Sequence, residues 1–198
     1  MNQLKHLLAA TAIVFGFVTP SFAQKVQDDG LDYKPFPHVF IGVQGGGQTT
    51  FTNYDNLKLI TPTASLSVGA FFTPVVGARL HFNGIWNKGG IAADGIDTKY
   101  QYKYLTSNLD LMLNLVTLFG KKNYYPVNVY LIGGIGLNTA WDNEEAYAMK
   151  SMMPMAWDKT TFSHNARVGA QLDWNLPKHV SLNLEVAANS LKDRYNSK

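Results

Sequence analysis

The stretch Ile60 to Thr73, ITPTASLSVGAFFT, alternates without a break. Ile60, Pro62, Ala64, Leu66, Val68, Ala70 and Phe72 share one parity, while Thr61, Thr63, Ser65, Ser67, Gly69, Phe71 and Thr73 share the other. A period of two describes a strand whose two faces meet unlike surroundings. Six more segments repeat the pattern. Val39, Ile41 and Val43 oppose Phe40, Gly42 and Gln44; Val76, Ala78, Leu80, Phe82 and Trp86 oppose Gly77, Arg79, His81, Asn83 and Asn87. Leu105, Leu109, Leu111, Leu113 and Leu115 oppose Asn108, Asp110, Met112 and Asn114; Val127, Val129, Leu131, Ile135 and Leu137 oppose Asn128, Tyr130, Gly134, Gly136 and Asn138. Phe162, Ala166, Val168, Ala170, Leu172 and Trp174 oppose Asn165, Arg167, Gly169, Gln171 and Asp173, and Val180 to Ala188 set valine, leucine and alanine against Ser181, Asn183 and Glu185.

A soluble sandwich also alternates. Here, however, the polar parity holds Gly, Asn, Gln, Arg and Asp, with few of the Lys and Glu that crowd a solvated face. The apolar parity persists for five to seven places, close to the ~9–11 residues of a tilted membrane strand. The pattern therefore predicts an all-β fold, a transmembrane up-and-down antiparallel barrel with its apolar face outward. Thr73-Pro74-Val75, Phe119 to Pro126 and Asn175 to Lys178 read as short turns; Thr49 to Leu59, Lys88 to Thr98 and Asp142 to Lys159 read as long loops. Such alternation puts turns at the periplasmic end and loops outside. Aromatic residues near strand ends, Phe72, Trp86, Trp141 and Trp174 with Phe119, Tyr124, Tyr125 and Trp157, read as interfacial girdles. Seven strands are visible where eight are expected, because an open edge in lipid is not viable. Truncation of the final strand is the preferred explanation over a closing strand from 24–37, which lacks alternation and holds Pro35 and Pro37.

The N-terminus has its own pattern. Lys5, an apolar run from Leu7 to Val18 and the small residues Ser21 and Ala23 predict a cleaved export signal over 1–23. Residues 24–37 read as a periplasmic lead-in and 38–198 as the barrel. No cysteine is present, so disulfides contribute nothing and a lipidated cysteine anchor is excluded. The net charge of +3 is scattered, with no basic run beyond Lys121-Lys122, which argues against nucleic-acid partners.

Ser67-Val68-Gly69-Ala70-Phe71-Phe72-Thr73-Pro74 followed by Gly77-Ala78-Arg79-Leu80 resembles the second hairpin of OmpA-like outer-membrane proteins of the Bacteroidetes type. Phe40-Ile41-Gly42-Val43-Gln44-Gly45-Gly46 and Leu182-Asn183-Leu184-Glu185-Val186 are similar to that family's first and seventh strands. The resemblance covers roughly 38–190. It implies an eight-stranded barrel, often followed by a periplasmic domain that grips peptidoglycan; no wall-binding residue is carried over, since that domain is absent from this chain.

Arg79, Asp110, Arg167, Asp173 and Glu185 fall on the inward parity, with His81 beside them. Eight strands enclose a space that side chains fill, and buried charges there must pair. A lumenal ion-pair network acting as a structural plug is expected in preference to a gated ion path. Ser163-His164 is the tempting catalytic pair, but adjacent strand residues point to opposite faces, so no enzyme activity is expected. The dispersed histidines give no metal spacing, and no cofactor is expected. Gly45-Gly46-Gly47 has neither Lys-Ser/Thr nor a helix after it, and reads as close backbone packing or a bulge rather than a phosphate loop. Loop 142–159, with Met149, Met152, Met153 and Met155, offers either a contact surface for an external ligand or a loop folded on itself. The sequence leaves both open.

The expectation is thus a barrel in the outer membrane of a Gram-negative cell that supports envelope integrity. Its partners are outer-membrane lipid and, only through the absent C-terminal domain, peptidoglycan. A small non-specific porin and an adhesin-like barrel are the alternatives.

Overall fold

The computed structural model describes residues 9–22, 36–50, 56–93, 96–122, 124–148, 150–151, 156–157, 159–176 and 180–191. Eight strands follow in chain order: β1 (Ala9–Phe22), β2 (His38–Thr50), β3 (Thr61–Phe71), β4 (Val76–Ala93), β5 (Ile96–Asn114), β6 (Val127–Trp141), β7 (Thr161–Leu176) and β8 (Val180–Leu191). Two five-residue helices, α1 (Leu115–Phe119) and α2 (Glu144–Ala148), sit in the connections. Strands β2 to β8 form one curled antiparallel sheet in which each pairs with the next. Strand β1 pairs with both β2 and β8 and closes it into a barrel.

The sheet is built inside out. In β3 the buried residues are Thr61, Thr63, Ser65, Ser67 and Phe71, while Pro62, Ala64, Leu66 and Val68 are exposed. The same holds in β7, where Ser163, Asn165, Arg167 and Gln171 are buried and Phe162, Val168 and Trp174 lie outside. Tight turns gather at one end. Thr73 fixes the β3–β4 turn by accepting at Oγ1 from the backbone N–H of Val75 (3.2 Å) and Val76 (2.9 Å). At the β5–β6 connection Asn114 caps α1, its Oδ1 accepting from Thr117 N at 3.1 Å.

Three expectations are corrected. Residues 9–22, read above as part of the export signal, pair with both β2 and β8, so eight strands are described where seven were counted; residues 24–35, the other candidate, lie outside the described residues. The 14 residues of β1 carry no charge and, Pro20 apart, offer backbone N–H groups to the two open edges. The long loop expected from Lys88 to Thr98 is instead strand, with only residues 94–95 between β4 and β5. Gly89 makes this possible, because a Cβ there would lie 2.2 Å from the Tyr100 ring. Finally, Gly45, Gly46 and Gly47 pair in unbroken register with Ala64, Thr63 and Pro62, so they form no bulge with β3, and a Cβ on Gly45 would meet nothing within 4 Å.

The β4–β5 hairpin outgrows its neighbours. Pairing of β4 with β3 ends at Ile85, and pairing of β5 with β6 ends at Lys103. Beyond those rows the hairpin pairs with neither neighbouring strand, and the described parts of the following loop, 142–148 and 156–157, pack on its inner side. Ala146, Ala156 and Trp157 pack with Tyr100, Tyr102, Tyr104 and Ala140. The amide of Gln101 donates to Glu145 Oε2 at 2.9 Å, and Asn143 Nδ2 donates to the Trp157 carbonyl at 3.2 Å. Trp157 is therefore buried in this cap rather than part of a girdle. The four methionines of the loop lie outside the described residues.

Candidate functional site: the filled lumen

One row of paired residues runs Gly69, Arg79, Asp110, Gly134, Arg167, Asn189 across β3 to β8. All its side chains share the inward parity, so three of the charged residues meet at one level. Glu185 joins them from β8. Arg79 Nε donates to Asp110 Oδ2 at 3.0 Å, Nη1 to Gln171 Oε1 at 2.8 Å and Nη2 to Glu185 Oε2 at 2.9 Å. Arg167 Nη2 donates to Glu185 Oε1, and its Nε lies 3.8 Å from Asp110 Oδ2. Two guanidinium groups and two carboxylates thus neutralise one another in a layer that is almost fully buried. Buried charge is tolerated on these terms alone, paired and hydrogen-bonded.

The glycines of the row make the layer fit. A Cβ on Gly134 would lie 2.1 Å from Asp110 Oδ1, and one on Gly69 would lie 2.7 Å from the Arg79 Cβ. Asp173 is linked to this layer through Gln171. It accepts from Gln171 Nε2 at 2.7 Å and lies in the row of Asn128 and Asn183, nearer the short turns. His81, fully buried, occupies the row beyond Arg79 with Ser67 and Asn108. Neither of its ring nitrogens meets a partner among the described residues.

Sequence reasoning missed the amides that complete this layer. Gln44 Nε2 donates to Asn183 Oδ1 at 2.8 Å and to Glu185 Oε2 at 3.4 Å, while its Oε1 accepts from Ser65 at 3.0 Å. Parity already placed Gln44 and Gln171 inside; only their reach across the lumen was illegible.

Other layers fill the space on either side. Towards the turns Phe40, Phe71, Met112, Tyr130 and Ile132 form an apolar cluster with Phe36 packed against it. The Phe71 ring lies 5.1 Å from Phe40 and 5.2 Å from Tyr130. A cavity of about 60 Å³ remains among these rings, Arg79, Gln171 and the asparagines near the turns, room for a few waters only. Towards the loops Asn165 Nδ2 donates to Asn108 Oδ1 at 2.6 Å. Next, Tyr104 Oη bonds Gln48 Oε1 and Asn83 Oδ1, each at 2.6 Å, with the Thr63 hydroxyl at 3.1 Å. The tyrosine–tryptophan cap follows.

The outer surface is equally ordered. Phe72 and Trp174 face outward near the turn end, while Trp86 and Trp141 flank Lys103 in a single row near the loop end. Between these levels the outward positions of β2 to β8 are mainly Val, Leu, Ile, Phe, Ala, Gly and Pro, with Ser107, Thr139 and His164 the main polar interruptions and no Asp, Glu, Lys or Arg. Ser163 and His164 are split by the sheet: the serine is buried and donates to the backbone carbonyl of His164 at 3.1 Å, and the imidazole faces out. No group of three His, Asp or Glu able to hold a metal occurs among the described residues.

Comparison with known protein families, with curated proteins and with solved structures finds no match for this chain.

Proposed function

We propose that the protein is an outer-membrane barrel with a structural role, holding the envelope together rather than conducting solutes. The observation that carries this reading is the uncharged apolar outer face. Leu109 is 55% exposed, Ile135 71% and Phe162 72%, far beyond the scattered apolar residues of a soluble surface. The dimensions agree. The 15 residues of β6 extend roughly 46 Å, and a barrel tilt near ~40° leaves roughly 35 Å between the aromatic levels. Hydrocarbon about 30 Å thick, bounded by interfacial tryptophans, fits that span.

The filled lumen supports a structural role over the porin alternative, since each layer from the Phe71 cluster to the Trp157 cap is packed or hydrogen-bonded. Wall tethering belongs to this proposal only through a further domain of the intact protein. A peptidoglycan pull-down of the full-length gene product against this segment tests it; equal capture would sink it. Export by a cleaved leader is likewise part of the proposal. Cleavage after Ala23 would remove β1, so a mature barrel then needs another strand between β2 and β8.

Tryptophan fluorescence tests membrane insertion. Of the four tryptophans, Trp86, Trp141 and Trp174 face outward and Trp157 is enclosed. In bilayers of lipids brominated near the headgroup, single-tryptophan variants retaining any of the first three should be strongly quenched. The variant retaining only Trp157 should not. Uniform quenching, or none, would overturn the reading.

A further inference from the structure

The loop end of the outer face carries a shallow, open groove of about 480 Å³ lined by Ala64, Leu66, Phe82, Ile85, Leu105 and Trp141. Gly84 forms its floor, where a Cβ would lie 2.8 Å from the Tyr104 carbonyl oxygen and 3.4 Å from Leu105 Cδ1. Directly beyond the groove, in the row after Leu105 and Gly84, stands Lys103 between Trp86 and Trp141. Lys88 follows on the same face, opposite Gln101, and Lys99 follows opposite Gly90. Same-face neighbours along a strand are roughly 7 Å apart, so the lysines form a short column rising from the end of the groove.

Three carboxylates lie nearby. Asp142 bonds Lys103 Nζ at 2.7 Å with both side chains about half exposed, and such a pair exchanges readily for another anion. Glu145 is turned to the Gln101 amide, and Glu144 is exposed on α2. None of the three bonds Lys88.

We propose that this face binds an anionic, phosphate-bearing lipid, its acyl chain in the groove and its phosphate on Lys103 and Lys88. The proposal rests on the membrane reading above. Charge complementarity selects the occupant: an apolar groove alone accepts any acyl chain, whereas a lysine column at its interfacial mouth favours a negative headgroup. The flanking tryptophans set the depth at which that headgroup lies.

The test uses the full chain in vesicles of phosphatidylcholine, alone or mixed with phosphatidylglycerol. Flotation first reports insertion, and native mass spectrometry then reports which lipid stays bound. Phosphatidylglycerol should be retained over phosphatidylcholine by about tenfold or more. The preference should vanish in the Lys88→Gln/Lys103→Gln variant, and retention should fall in Ala64→Phe, which fills the groove from its exposed rim. Equal retention of both lipids by a chain that floats overturns this site while leaving the membrane reading intact. So does binding of inorganic phosphate that matches lipid binding and ignores Ala64→Phe. A chain that floats with neither vesicle overturns both.

Discussion

Arg79 touches three other strands through three nitrogens, and few side chains in the barrel are so committed. Arg79→Ala leaves Asp110 and Glu185 with Arg167 as their sole cation, in a layer that is almost fully buried. Loss of one partner from such a layer costs about 3–5 kcal/mol. Urea unfolding in detergent micelles should show that loss, whereas Asp173→Ala, which removes the acceptor of the Gln171 Nε2 hydrogen bond from a partly buried position, should cost about 1 kcal/mol. Comparable losses in the two variants would dissolve the distinction. Gly134→Ala is the complementary probe, because its methyl would fall on Asp110 Oδ1. The carboxylate must move, and destabilisation of about 1–3 kcal/mol is expected from the crowding. An unchanged unfolding midpoint would show that the layer has slack. Ile85 shows a different constraint. It falls on the inward parity yet is 40% exposed, with φ at 139° in the region that favours glycine. The backbone turns an apolar side chain away from the polar lumen at the last row shared with β3.

At the scale of elements, β2, β3, β6, β7 and β8 were legible because a wall with an apolar outside and a polar lumen imposes a strict period of two on every residue. Arg79, Asp110, Arg167 and Glu185 were legible for the same reason, since parity decides which side of the wall a charge occupies. What stayed hidden was longer in range. Gly89 and Gly90 looked like the start of a loop because nothing local announces that the Tyr100 ring lies over the first of them. Asp173 carried the right parity, but its level along the barrel depends on strand stagger, which no single segment encodes. The role of residues 9–22 was obscured because their apolar run has no polar parity, and a leader and a closing strand draw on the same composition. A direct test follows. Residues 24–198 alone should leave β2 and β8 with free edges, and the heat-modifiable compact band of a closed barrel should be lost on semi-native gels. A compact band of undiminished intensity would show that the sheet closes without β1.

For the molecule as a whole, layers stacked along the axis predict a barrel that inserts but scarcely conducts. Planar bilayers should show no sustained single-channel steps, and Arg79→Ala should not open them, because the Phe71 cluster, the Tyr104 layer and the Trp157 cap still block the axis. A large rise in current in that variant would make the ion-pair layer a gate. Closure by β1 has one further consequence, for the order of folding. Ala9 pairs with Ser190, so the first strand finds its second partner only when nearly the whole chain is present. Pairing over such separation is entropically slow. Until then two apolar-faced edges stay open along a sheet that water cannot solvate well. A cell making this protein must keep the chain from self-association between synthesis and assembly, and that protection has to last until the gap between β2 and β8 is filled, by β1 or, once the leader is cleaved, by another strand.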